Sequence, residues 1–178
     1  LLQMTLEGET IIPTPSWVSY PPQATMLKRE VSYIHTLVDS NWLLSADQLD
    51  AELKDSSSAA KLLILNYPGN PSGTTYQESA LIALAETARK HGILILSDEI
   101  YGRLNHDGNH RSIAEFYPEG TIVSSGLSKW CGAGGWRLGH FLFPKEMKQL
   151  MQSMAAAASE TFSCVSAPVQ NAAVRAYQ

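Results

Sequence analysis

Lys129 is placed where its amine has reason to do more than meet water. It follows the apolar run TIVSS, is flanked by Ser128, Trp130 and Cys131, and is separated from Arg137 by the glycine-dense turn CGAGG. Most lysines are solvated surface charges. A lysine after an apolar strand and beside uncharged neighbours can lose its proton near neutral pH and become a nucleophile toward carbonyls. Gly132, Gly134 and Gly135 allow the backbone to approach a bound group. Arg137 can hold an anion there by paired hydrogen bonds.

Three more candidates follow strand-like runs. Asn70 comes after KLLILNY within YPGNPSG, and Asp98 and Tyr101 follow ILILS within SDEIY. Taken singly, each has an ordinary reading: Asp98 as a cap, Tyr101 as a core tyrosine, Asn70 as a turn residue before proline. Asp98 also looks like the acidic strand end of nucleotide hydrolases, but no GxxxxGK[ST] string accompanies it. A third reading pairs its carboxylate with a protonated pyridine nitrogen. An imine-forming amine beside an arginine able to hold phosphate points to pyridoxal 5'-phosphate.

Other chemistries lack their patterns. The turn after Lys129 is not GxGxxG, Gly126 breaks the SxxK spacing, Ser128 has no hydrolase elbow, and HExxH does not occur. His35, His91, His106, His110 and His140 are scattered, and most of them read as surface or helix-end residues. Cys131 and Cys164 lie far apart without a CxxC, which argues against a disulfide scaffold or a metal site and fits a reducing cytoplasm.

The elements that must position these groups alternate. Strands are expected over 9–13, 30–37, 61–67, 93–97, 121–124 and 137–143. Helices are expected over 45–54 with Ser45 as N-cap, over 75–91 with a Thr75–Glu78 capping box, and over 145–158. Leu81, Leu84, Ala85 and Ala88 share one face of the second helix, which Gly92 stops. The serine-rich stretch 56–58 reads as a loop. Near-continuous apolar strands between amphipathic helices predict an α/β fold, a three-layer α/β/α sandwich with a mostly parallel sheet. Ligands of such sheets gather at the carboxyl ends of the strands, where Asn70, Asp98, Tyr101 and Lys129 fall.

The 178 residues, 44% hydrophobic and 17% charged, fit one globular domain. A net charge of −4 gives no support for nucleic-acid or anionic-membrane binding, and no apolar run is long enough to span a bilayer. The chain opens at Leu1 and stops at Gln178 within a helical pattern, so it is expected to be incomplete at both ends.

The segments PTPSWVSYPPQ, LNYPGNPSGT, ILILSDEIYGRL, LSKWCGAGGWRLGHF and SCVSAPVQNAA, in this order, resemble the class I/II aminotransferases of the fold-type I pyridoxal phosphate enzymes. The resemblance covers nearly the whole chain, and its middle three segments are the specific ones. It implies that residues 1–178 are the large cofactor-binding domain, without an N-terminal segment and the C-terminal small domain. It implies that Lys129 forms the imine tether and moves a proton at the substrate Cα, and that Asp98 pairs with the pyridine nitrogen. Asn70 and Tyr101 would hydrogen-bond the 3′-oxygen, Arg137 would bind phosphate, Trp17 would stack on one ring face, and Ile100 would cover the other.

The implied activity is transfer of an amino group from an L-amino acid to a 2-oxo acid. Lyases and synthases of the same fold share these residues, and a non-catalytic regulator domain is a further alternative. The resemblance also implies a homodimer and cis peptides at Asn70–Pro71 and Thr14–Pro15. One departure stands out: Gly126 occupies the position, three before the lysine, where a phosphate-binding serine is usual, leaving Ser125, Ser128 or a backbone amide to substitute.

Overall fold

A computed structural model describes residues 1–55 and 61–178. Its strands are β1 (Glu9–Thr14), β2 (Val31–His35), β3 (Lys61–Asn66), β4 (Leu94–Asp98), β5 (Thr121–Gly126) and β6 (Gly139–Leu142). They form one sheet in the order β2-β1-β3-β4-β5-β6, with β1 to β5 parallel and β6 antiparallel to β5. The helices are α1 (Leu2–Thr5), α2 (Tyr20–Met26), α3 (Ala46–Asp55), α4 (Glu78–His91), α5 (Lys148–Ser159) and α6 (Ala167–Ala176).

Strand side chains alternate between two cores, as the pleat requires. Ile11, Leu63, Leu65 and Ile95 face a cluster completed by Leu49 and Leu53 of α3 and by Leu81, Leu84, Ala85 and Ala88 of α4. Ile12, Leu62, Ile64 and Ile122 face the other side, against Leu2 of α1 and Met154 of α5. Both faces of the central strands are therefore covered, and β3 reads as the unbroken apolar run LLIL for that reason. This is the expected three-layer sandwich.

Local signals mostly act as expected. Ser45 caps α3 reciprocally: Gln48 N donates to Ser45 Oγ at 3.2 Å, and Ser45 N donates to Gln48 Oε1 at 3.1 Å. Gly92 ends α4 in the left-handed region at φ 62°. The peptides Thr14–Pro15 and Asn70–Pro71 are cis as expected, and Tyr67–Pro68 is cis as well.

Three expectations need correction. The Thr75–Glu78 capping box does not form: α4 starts at Glu78 behind Gln77, which makes no side-chain cap hydrogen bond. Arg137 is not in a strand. It closes the 3-10 turn Gly134–Trp136 at φ 55°, a left-handed conformation that cannot join a ladder, so β6 begins at Gly139. The last long helix opens as a 3-10 turn, Lys145–Met147, before α5 proper. The expected 56–58 loop lies outside the described residues, among which no helix is long and apolar enough to cross a membrane.

Leu63 is fully buried in the strand between β1 and β4. Leu63→Ala in the full-length protein should lower the stability to denaturant by about 2–5 kcal/mol, measured as a shift in the unfolding midpoint at constant slope.

Candidate active site

The register of three parallel strands builds the floor of the site. Asn66, Asp98 and Ser124 are partners across β3, β4 and β5, so these strands deliver their carboxyl ends at one level. Around them lies a cavity of about 690 Å³. Trp17, Asn70, Asp98, Tyr101, Lys129 and Arg137 all line it, together with Ile100. Residues spread over 121 positions of sequence thus meet at one place.

Asp98 is the most firmly held of them. Its Oδ2 accepts a hydrogen bond from Tyr20 Oη at 2.6 Å, while Oδ1 lies 3.4 Å from the Ile100 amide. Its backbone carbonyl accepts from Asn66 Nδ2 at 2.9 Å, and Asn66 Oδ1 accepts from the Asn70 amide at 2.8 Å. One Asn66 amide group thereby fixes the spacing between the Asn70 loop and the Asp98 strand end. Tyr20 is 5% exposed, and burial, reinforced by the Asp98 carboxylate, pushes its pKa far above the ordinary tyrosine value. Its hydroxyl stays protonated and remains a donor. The Tyr20 ring also meets Trp17 edge to face, with centroids 5.3 Å apart, so one buried tyrosine steadies an aromatic wall and a carboxylate together.

Lys129 also lines the cavity, with its amine 5.4 Å from the centre of the Tyr101 ring. It lies on a tight loop closed by Ala133 N donating to Leu127 O at 3.2 Å and Gly132 N donating to Lys129 O at 3.1 Å. Gly132 has φ 63°, which suits glycine. Lys129 is exposed, contrary to the shielding that its uncharged neighbours suggested. Trp130 instead turns to pack against Tyr177, at 5.4 Å between rings, and under the Arg103 guanidinium at 4.7 Å. Arg137 Nη1 donates to the Gly134 carbonyl at 2.6 Å. Among the described residues neither the Lys129 amine nor the Arg137 guanidinium is paired with a carboxylate.

Several lining residues were not foreseen. Tyr20 stands three positions after Trp17 in WVSY, a spacing that puts both on one side of a helical turn, but nothing in the string names Asp98 as its partner. His140, which no motif singles out, lines the cavity, and burial lowers its pKa below the ordinary histidine value. Ser125 and Ser128 are both in the wall, whereas Gly126 is not.

The set of groups suits pyridoxal phosphate. An amine, a carboxylate, a phenol, an amide and a guanidinium surround one cavity with an indole wall. Each is the natural partner of one feature of that cofactor: aldehyde, pyridine nitrogen, phenolic oxygen and phosphate.

Known proteins carry the same arrangement of sequence. The chain is 37% identical to aspartate aminotransferase of Geobacillus stearothermophilus, over 99% of this chain and 45% of that protein. It is 36% identical to asparagine–oxo-acid transaminase of Streptococcus mutans, over 96% and 43%. Among solved structures, aspartate aminotransferase from Rhizobium meliloti superposes with a TM-score of 0.89 at 29% identity, covering 98% of this chain and 44% of that one. The chain thus spans less than half the length of these relatives. The family pattern described as aminotransferase class I and II matches residues 1–178. By that match and those identities, the chain belongs to the class I and II aminotransferase family.

Proposed function

We propose that the whole protein is a pyridoxal phosphate-dependent aminotransferase that moves an amino group from an L-amino acid to a 2-oxo acid. The observation that supports this most is the gathering of Lys129, Asp98 and Arg137 around one cavity at the carboxyl ends of β3 to β5. Residues 1–178 would be the large domain, with the remainder of the protein completing the substrate side.

When bound, the cofactor supplies an electron-withdrawing ring that stabilises the charge left as the Cα–H bond breaks. The protein does the rest. Lys129 would hold the cofactor through its aldehyde carbon and would be the base that takes the Cα proton and returns it. Asp98 keeps a proton on the pyridine nitrogen, and the Tyr20 hydroxyl holds its carboxylate in place for that contact. Tyr101 and Asn70 donate to the phenolic oxygen, and Arg137 holds the phosphate through whichever of its donors Gly134 does not occupy. Trp17 and Ile100, which both line the cavity, would cover the two faces of the flat ring. The relatives named for aspartate and asparagine support a small acidic or amide amino acid as donor. We further propose a cytoplasmic homodimer. Cys131 and Cys164, both free and exposed, fit a reducing compartment.

Gly126 has a steric explanation. A Cβ built there would lie 2.6 Å from the Leu138 carbonyl and 3.1 Å from Gly139 Cα, because β5 and β6 approach closely at the Gly126–Gly139 pair. A serine does not fit without moving β6. Ser128 carries the role instead in this reading: it lines the cavity and its hydroxyl has no hydrogen-bond partner among the described residues.

In the full-length protein, turnover beyond one equivalent of product per site should require an added 2-oxo acid, because the amino group stays on the cofactor until that acid removes it. Many equivalents of product formed from the amino acid alone would instead indicate a lyase. Lys129→Ala should eliminate the covalent cofactor mass that borohydride reduction leaves on the wild-type chain. Gly126→Ser should lower stability by about 1–3 kcal/mol without tightening phosphate-dependent cofactor binding, as thermal unfolding and cofactor titration will read.

A further inference from the structure

Asp98 and Tyr101 leave β4 on one short turn, and Glu99 between them is buried away from the cavity wall. Its carboxylate is fully engaged. Oε1 accepts from Ser97 Oγ at 2.8 Å and from Ser112 Oγ at 2.6 Å, and Oε2 faces His110 Nε2 at 2.8 Å. A buried carboxylate requires such donors. Beside an acceptor, Nε2 is the protonated ring nitrogen, and Nδ1 is buried without a partner. The pair with Glu99 is therefore the one hydrogen bond that orients the His110 ring among the described residues.

The same ring touches the other end of the turn. A Cβ added at Gly102 would lie 2.8 Å from His110 Nε2 and 2.9 Å from Cδ2, so the imidazole packs directly on the Gly102 backbone. The turn also closes on itself, with Gly102 N donating to Glu99 O at 2.9 Å. Tyr101 sits between these two held residues.

His110 is itself anchored to the body of the fold. Ser112 and Glu115 form a capping box, the Arg111 guanidinium pairs with Glu78 of α4 at 2.6 Å, and Ile113 N donates to the buried Tyr67 hydroxyl at 2.6 Å. The Tyr67 ring lies 5.4 Å from the imidazole.

We propose that His110 is a positioning residue: it grips Glu99 through Nε2 and Gly102 through its ring, fixing both ends of the turn that presents Tyr101 to Lys129. This rests on the reading of Tyr101 as a cofactor contact. Tyr101 favours the deprotonated form of the bound cofactor by donating to its phenolic oxygen, so loosening the turn raises the pH midpoint of the cofactor's visible band.

Two variants of the full-length protein test it by different means. His110→Phe keeps a ring on Gly102 but removes the hydrogen bond. Gly102→Ala leaves every polar group intact and pushes the ring away. Both should speed hydrogen exchange of the backbone amides over 100–104 in cofactor-free protein. Both should also raise the visible midpoint of the loaded protein by about half a pH unit or more, in the same direction as Tyr101→Phe. In the Tyr101→Phe background, His110→Phe should add little further shift, because both act through one contact.

Unchanged exchange over 100–104, or shifts that simply add, would overturn the clamp. Faster exchange in a protein whose wild type develops no visible band with pyridoxal phosphate would support the clamp and overturn the cofactor reading instead.

Discussion

The site depends on the parallel register of β3, β4 and β5. Because Asn66, Asp98 and Ser124 stand abreast, the loops that leave these strands all begin at the same edge of the sheet. The register in turn is held by burial on both faces. A slip of one residue would carry Leu63 and Leu65 from one core into the other and exchange them with Leu62 and Ile64. The hydrophobic effect, acting well below the cavity, thereby sets where a carboxylate and an amine can meet.

Within that frame, polar groups are treated in two ways. The Asp98 side of the site is prearranged: Tyr20, Asn66 and the Ile100 amide all direct donors to Asp98 or its carbonyl. The cationic groups of the same cavity are left electrostatically open, with the Lys129 amine and Arg137 guanidinium free of carboxylate partners among the described residues. A fixed negative group in one cavity with uncommitted positive ones suits a ligand that carries both a basic ring nitrogen and a phosphate. The two halves of the wall also differ in rigidity of attachment. Asp98 ends a central strand, whereas Lys129 rides on a loop beyond β5, tied down by Trp130 packing beneath Arg103.

Glycines act here by subtraction. Gly126 lets β6 return antiparallel against β5, and that return brings Arg137 and His140 back to the cavity. Gly102 lets an imidazole lie against the backbone beside Tyr101. In both places a methyl group would displace something that the site uses, so the absence of a side chain is the functional feature.

Much of this was legible in the residues alone. Apolar runs such as LLIL declare strands buried on both faces, Gly92 declares a helix end, and the segments around Asn70, Asp98 and Lys129 declare a family whose groups share a strand edge. These are local or pattern-borne properties, set by periodicity, backbone freedom and side-chain chemistry. What the sequence could not decide were contacts between distant residues: Tyr20 donating to Asp98 across 78 positions, His110 gripping Glu99, Trp130 turning inward while Lys129 stays exposed. Nor could it show that Gly126 is barred from carrying a hydroxyl, since the obstructing carbonyl belongs to Leu138 on the returning chain. Hydrogen-bond partners and steric exclusion arise only when the chain has closed in space, and no string of residue types encodes which two surfaces will meet.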